Sequence, residues 1–295
     1  MSSTPVPAAA STVDASPAPA GKLSRARIVW SIAGRDLRSH LFGLSLYVVV
    51  ALVLLGISHF AVRNALWQVD QNGLMVLGNP INYPFFLALW LSAVYLGLMA
   101  AVAIARERDN GTLEVLFYGP VDSLSYLLGK FVQPMISFVV VAAFYLAYFA
   151  ASAWYTNLGF TGGIVQLLVL ALVLTGCVVA FGLAISAMSR RVFLAVIGFL
   201  GLMLLFTLFS VAQAVLLAIP AERLTDVLAL ARTLVDSVQR GLQWLSPLAY
   251  FSRGSAALLI GEWQDYLIAV GSSLVYTAVL VALAVFAFQR KGVRR

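Results

Sequence analysis

The feature that most constrains this chain is a series of six apolar segments. They run approximately over residues 41–60, 83–105, 131–154, 164–188, 192–219 and 266–288, and each is about 20 residues or longer, the length needed to cross a bilayer as a helix. In lipid every backbone N–H and C=O must be bonded within the segment, so apolar runs of this kind are expected as α-helices. A water-soluble alternative fails on surface. Sixty-two per cent of the 295 residues are apolar and 11% charged, with mean hydropathy +0.95, whereas soluble domains carry about 25% charged residues. The expected fold is therefore an all-α membrane protein of six spans, residues 41–295, preceded by two segments of different character.

Residues 1–21 are dominated by Ser, Thr, Ala and Pro, too poor in large apolar side chains to order themselves, and are expected as a disordered tail. They show neither the basic nor the apolar region of a signal peptide. From 22 to 40 the spacing of Leu23, Ala26, Trp30, Ala33 and Leu37, with Arg25, Arg35 and Arg38 elsewhere around the helix, predicts an amphipathic helix on the membrane surface.

The net charge of +7 is unevenly placed. With the N-terminus inside, the inner side holds Lys22, Arg25, Arg27, Arg35, Arg38, Arg106, Arg108, Lys130, Arg190, Arg191, Arg290, Lys291, Arg294 and Arg295. The outer side holds Arg63, Arg223, Arg232, Arg240 and Arg253. Fourteen against five orients a multi-pass protein of the cell (inner or plasma) membrane with both termini cytoplasmic, and assigns the basic charge to that asymmetry and not to nucleic acid. Trp67, Trp154, Tyr155, Trp244 and Trp263 fall at the expected outer boundary, and Trp30 at the inner one.

Two connections exceed what a helical hairpin needs. The outer one, 220–265, repeats Leu224, Leu228, Ala231, Val235, Val238, Leu242 and Leu245 at helical spacing, an amphipathic helix ending near Pro247. It can lie on the membrane, cap the spans or dip into the outer leaflet. The inner one runs from Arg106 to Lys130. There the second span is expected to stop at Asn110-Gly111, with a short helix from Leu113 to Phe117 and a break at Gly119-Pro120. Asp122 is placed to cap the third span. A short helix tied at both ends to long ones is suited to passing on a push.

Several chemistries are excluded. No ionisable group lies mid-span, as an ion-driven carrier would require. His40 and His59 are nineteen residues apart, about 28 Å along a helix, too far to share a metal. The phosphate-cradling G-x-x-x-x-G-K-[ST] loop is absent, and no Ser/His/Asp grouping can be assembled. Cys177, the one cysteine, sits in an apolar run as a packing residue, and Gly176, Ala180 and Ala184 read as helix-packing positions. The chain is thus not expected to be an enzyme. A transporter without its own energy source needs a partner that grips an inner loop.

The run Glu107-Arg108-Asp109-Asn110-Gly111-Thr112-Leu113-Glu114, followed by Pro120, resembles the E-R-E-x-G-T-L-E…P signature after the second span of ABC-2 permeases, departing from it at Asp109-Asn110. The stretch Leu245-Ser246-Pro247-Leu248, with Phe251 and Gly254, is similar to a second conserved region of that family. The resemblance implies the transmembrane subunit of an ABC exporter, working as a dimer with a second copy or a homologous permease. Cytoplasmic ATPase subunits would bind the ATP and Mg, so that this chain carries no cofactor. Arg106, Glu107, Arg108, Gly111, Thr112, Leu113, Glu114, Leu116 and Pro120 would form the ATPase-coupling region. A membrane scaffold that couples an ATPase to an extracytoplasmic process without moving a solute is the alternative.

Overall fold

The computed structural model describes residues 24–72, 82–112, 122–156, 163–219 and 226–291. Among them are nine helices and no strand: α1 (Arg25–Leu41), α2 (Leu44–Asn72), α3 (Asn82–Asp109), α4 (Ser123–Thr156), α5 (Gly163–Met188), α6 (Val192–Ala218), α7 (Asp226–Leu245), α8 (Pro247–Ile260) and α9 (Trp263–Lys291). The tail, residues 113–121 and the expected short helix of the inner connection lie outside the described residues.

Five helices, α3, α4, α5, α6 and α9, are long and apolar enough to cross a membrane. The first expected span differs. Only α1 together with Leu44–Ile57 passes the same test, as a pair bent by 61°, so the described residues hold five such helices, or six with the bent pair counted as one span. The bend falls at Phe42-Gly43, where Phe42 caps α1 with its N–H on the Arg38 carbonyl.

α5 is the centre of the bundle and α3 packs along it. Their closest approach is set by two glycines: a Cβ on Gly182 would lie 2.2 Å from the Gly97 carbonyl oxygen, and one on Gly97 would lie 2.5 Å from Val178. In lipid, where helix association relies on close packing and not on water, small residues at such crossings are what permit it. The sequence stripe Gly176, Ala180, Ala184 is thus displaced in role. Ala180 and Ala184 are buried, but a Cβ on Gly176 would meet only ordinary contacts at 3.7–3.8 Å, because Gly176 faces α9 and a groove, not α3.

In the connection between α6 and α9 the expected amphipathic helix ends before Pro247, and a second helix follows it. α7 ends at Leu245, the chain turns at Ser246 and Pro247, and α8 follows as a second helix. The turn lies deep in the bundle. Pro247 and Leu248 share a narrow crevice with Trp90 and Ala93 of α3 and with Leu174 and Val178 of α5. Those positions lie about 12–22 Å along their helices from the ends at residues 82 and 163. Irregular backbone at that depth needs its polar groups bonded, and it has them. The Leu245 carbonyl accepts from Tyr276 Oη at 2.5 Å and the Trp244 carbonyl from Tyr250 Oη at 3.3 Å. The Leu248 N–H donates to Ser246 Oγ at 3.2 Å, an N-cap with Pro247 at the first helical position. The end of α7, with Trp244 and Leu245, thus lies within reach of Tyr276 at the middle of α9. α8 then runs out along α5, where Gly254 leaves room for Leu170, and ends on left-handed Gly261.

Candidate functional site

The ends of α3 and α5, the starts of α4 and α6, the last turn of α9 and α1 as far as Asp36 meet at one pole of the bundle, which is rich in Arg and Lys, while the end of α1 reaches the middle of α3, where His40 stacks on Tyr95. Lys130 is its centre. Its side chain is 7% exposed, and its ammonium donates to Asp36 Oδ2 of α1 at 2.6 Å and to Glu107 Oε1 of α3. Tyr126, one turn earlier on α4, donates its hydroxyl to Glu107 Oε2 at 2.6 Å. The Lys130 ammonium stands 5.7 Å from the centre of the Tyr126 ring, which stacks on Phe288 of α9 at 5.5 Å. Arg35 extends the row by pairing with Asp36 at 3.2 Å. Arg35, Asp36, Lys130 and Glu107 thus alternate in sign across α1, α4 and α3. The two carboxylates are balanced by two cations, and it is the buried Lys130 ammonium that could not be held there without them.

Local sequence explains the placement. Gly129 precedes Lys130, and a Cβ there would lie 2.9 Å from Ile32, so α1 and α4 can close to the distance at which Lys130 reaches Asp36. The face of α1 turned inward is Val29, Ile32, Ala33, Asp36 and His40, whereas Trp30 is 66% exposed. The stripe expected to face the membrane surface divides: Ala26 and Trp30 are exposed, Leu37 is half-buried and Ala33 packs inward. An acidic residue belongs on the packing face because its partner is buried opposite. Pro134 adds a local effect: it lacks the N–H that would otherwise bond the Lys130 carbonyl in the helix ladder.

A second set of bonds ties α3 to the α5–α6 corner. Arg108 donates to the Ser189 carbonyl and, at 3.5 Å, to the Ala187 carbonyl, taking up acceptors left free at the end of α5. Asp109 Oδ2 accepts from the Val192 N–H at 2.9 Å, placing a carboxylate at the start of α6, where the helix dipole favours negative charge. Ser186 Oγ accepts from the N–H groups of Ile104 and Ala105 at 3.1 Å. α3 then stops as expected. Asn110 and Gly111 donate their N–H groups back to Arg106 and Arg108, Gly111 is left-handed at φ 69°, and Thr112 Oγ1 donates to the Glu107 carbonyl at 3.1 Å.

The residues singled out in the sequence therefore divide. Arg106, Gly111 and Thr112 are exposed where the chain leaves α3. Glu107 and Arg108 are turned inward and bonded within the chain. Leu113, Glu114, Leu116 and Pro120 lie outside the described residues. Asp36, Tyr126 and Lys130 were not among the expected site residues, although a lysine at the start of an apolar span is a signal of its own, since such charge is costly without a partner. No group of three or more His, Cys, Asp or Glu able to hold a metal occurs among the described residues.

The family profile described as ABC-2 family transporter protein matches residues 30–293, nearly the whole chain and every helix of this pole. The chain belongs to the ABC-2 family. It is a multi-pass membrane protein and the permease component of an ABC transporter, a family that moves material across membranes and is not itself catalytic. No curated protein matches it individually. Within this ABC-2 permease, Glu107, the first residue of the run to Glu114 that carries the family resemblance, is the residue that Lys130 ties to α1 and α4.

Proposed function

We propose that this permease is one half of an exporter's membrane path, paired with a second copy or a homologous permease and driven by ATPase subunits that bind ATP and Mg and dock on the Arg-rich pole. On this reading the pole and both termini face the cytoplasm, in keeping with the fourteen basic residues assigned there. α1 lies along that surface. The segment from Arg106 to Pro120, including Gly111, Thr112, Leu113, Glu114 and Leu116, is the coupling region. Its exposed members, Arg106 foremost, meet the ATPase, while Glu107 and Arg108 fasten the segment to the permease. A push on the coupling region then reaches α1 and α4 through Lys130 and the α5–α6 corner through Arg108 and Asp109.

The observation that carries this proposal is Lys130 joined at once to Asp36 and Glu107, because two carboxylates held on a buried ammonium resist separation more than a surface pair does. The test is the complex purified with its ATPase. Gly111→Pro and Glu114→Lys are expected to insert normally and to lose stimulation of ATP hydrolysis. Unchanged stimulation in both would refute the coupling assignment. ATP-dependent solute movement in reconstituted vesicles is expected, whereas hydrolysis with no movement would favour a scaffold.

A further inference from the structure

A groove of about 780 Å³ runs between α4, α5 and α9, with Phe131, Met135, Gly176, Thr277, Val281 and Gln289 among its walls. It is of ligand size, and its lining is almost wholly apolar. Thr277 makes no polar demand on an occupant, since its hydroxyl donates to the Ser273 carbonyl at 2.9 Å. Along α9 the groove extends from Leu274 to Gln289, about 22 Å, enough to pass through one leaflet of a hydrocarbon core roughly 30 Å thick. All three walls are helices long and apolar enough to span a membrane, so the groove opens to lipid and not to water. Its two ends differ. The Leu274 end is apolar, while the Gln289 end carries Arg290, whose guanidinium is held 4.4 Å above the ring of Phe286, itself a wall residue. In the sequence Lys291, Arg294 and Arg295 follow.

We infer that this groove holds one acyl chain of an anionic phospholipid, with the lipid phosphate at Arg290. The apolar length takes the chain, and the cation at the mouth selects the headgroup. Gly176 owes its small size to this groove and not to helix contact. Clustered Lys and Arg at a membrane surface attract anionic lipid, and Arg290 is the member of that cluster fixed at the groove.

The test uses the purified full chain in vesicles of equal parts phosphatidylglycerol and phosphatidylcholine, with photoreactive probes of either headgroup bearing a mid-chain diazirine. Mass spectrometry is expected to find phosphatidylglycerol adducts concentrated on residues 277–285. The double variant Ala278→Phe/Ala282→Phe, which fills the groove, is expected to abolish them. Arg290→Gln, an exposed change that leaves the fold intact, is expected to lower the phosphatidylglycerol to phosphatidylcholine labelling ratio about fivefold, the effect of one cation at a membrane surface. Labelling of 277–285 no greater than that of the exposed face of α6, or an unchanged headgroup ratio in Arg290→Gln, would overturn the inference. So would a groove shielded from both probes and uncovered when the filled variant dissociates a dimer, since a second copy would then be the occupant.

Discussion

The Arg-rich pole of this bundle and its apolar body are held together by different forces. At the Arg-rich pole, α1, α3, α4 and the α5–α6 corner are joined by charge: Asp36, Lys130 and Glu107 in one row, Arg108 and Asp109 in another. Below these charges, from the middle of the bundle outward, the helices are joined by fit. Gly97 meets Gly182, Gly254 makes room for Leu170, and Pro247 and Leu248 sit between α3 and α5. Fit is unforgiving of added volume and indifferent to charge. The charged pole is the reverse, since its bonds have direction and depend on partners being present. A part that must receive a push from outside and pass it on gains from directed bonds, and a part that must stay sealed in lipid gains from close packing.

This contrast can be broken by substitution, and the largest effect is expected in the packed half. Gly182→Leu drives side-chain atoms into the Gly97 backbone, at a cost of about 3 kcal/mol or more, so yield of monodisperse protein in gel filtration should collapse. Gly176→Leu, beside an open groove, should express near the wild-type level. Equal loss from both would mean that the α3–α5 crossing is not the tight one.

In the charged half, Lys130→Met leaves Glu107 without a cation and Asp36 with only the exposed Arg35. Both Asp36 and Glu107 keep 21% side-chain exposure, so some water reaches them and the cost should be about 2–3 kcal/mol, short of the roughly 3–5 for a fully buried pair. Thermal unfolding in detergent should show it. The triple change Asp36→Asn, Glu107→Gln, Lys130→Met should recover to within about 1 kcal/mol of wild type. Failure to recover would assign the loss to packing of the lysine stem.

At the inserted turn, Tyr276→Phe removes the partner of the Leu245 carbonyl at a cost of about 1–2 kcal/mol, with Ser246→Ala near 1 kcal/mol through its cap. The smallest effect is expected from Arg240→Ala, which breaks an exposed pair with Asp236 and should cost under about 0.5 kcal/mol.

Segment length, charge asymmetry and the Glu107 to Thr112 run were enough to read the membrane class, the family and the stop of α3 at Gly111. What escaped was everything decided by rotation and depth. The face that α1 turns to the bundle depends on a glycine and a lysine ninety residues away, so nothing local marked Asp36 as a packing residue. The repeat from Leu224 to Leu245 marks α7 as amphipathic, but its descent along α6 is fixed by tertiary contacts, among them Gln213 donating to Asp236 at 3.0 Å and Tyr276 reaching Leu245. Lys130 was legible only as one of many basic residues. Its meaning came from the two acids that fold against it.

On the proposed function the Lys130 row carries motion and does not merely add stability. The direct measurement is ATPase stimulation by Lys130→Met, in the complex with its ATPase subunits, at a temperature well below the variant's own unfolding midpoint. A fall of about tenfold with the complex intact, against wild-type stimulation in Ser246→Ala, is the expected result. Full stimulation by folded Lys130→Met would contradict the claim and reduce the row to a structural clamp.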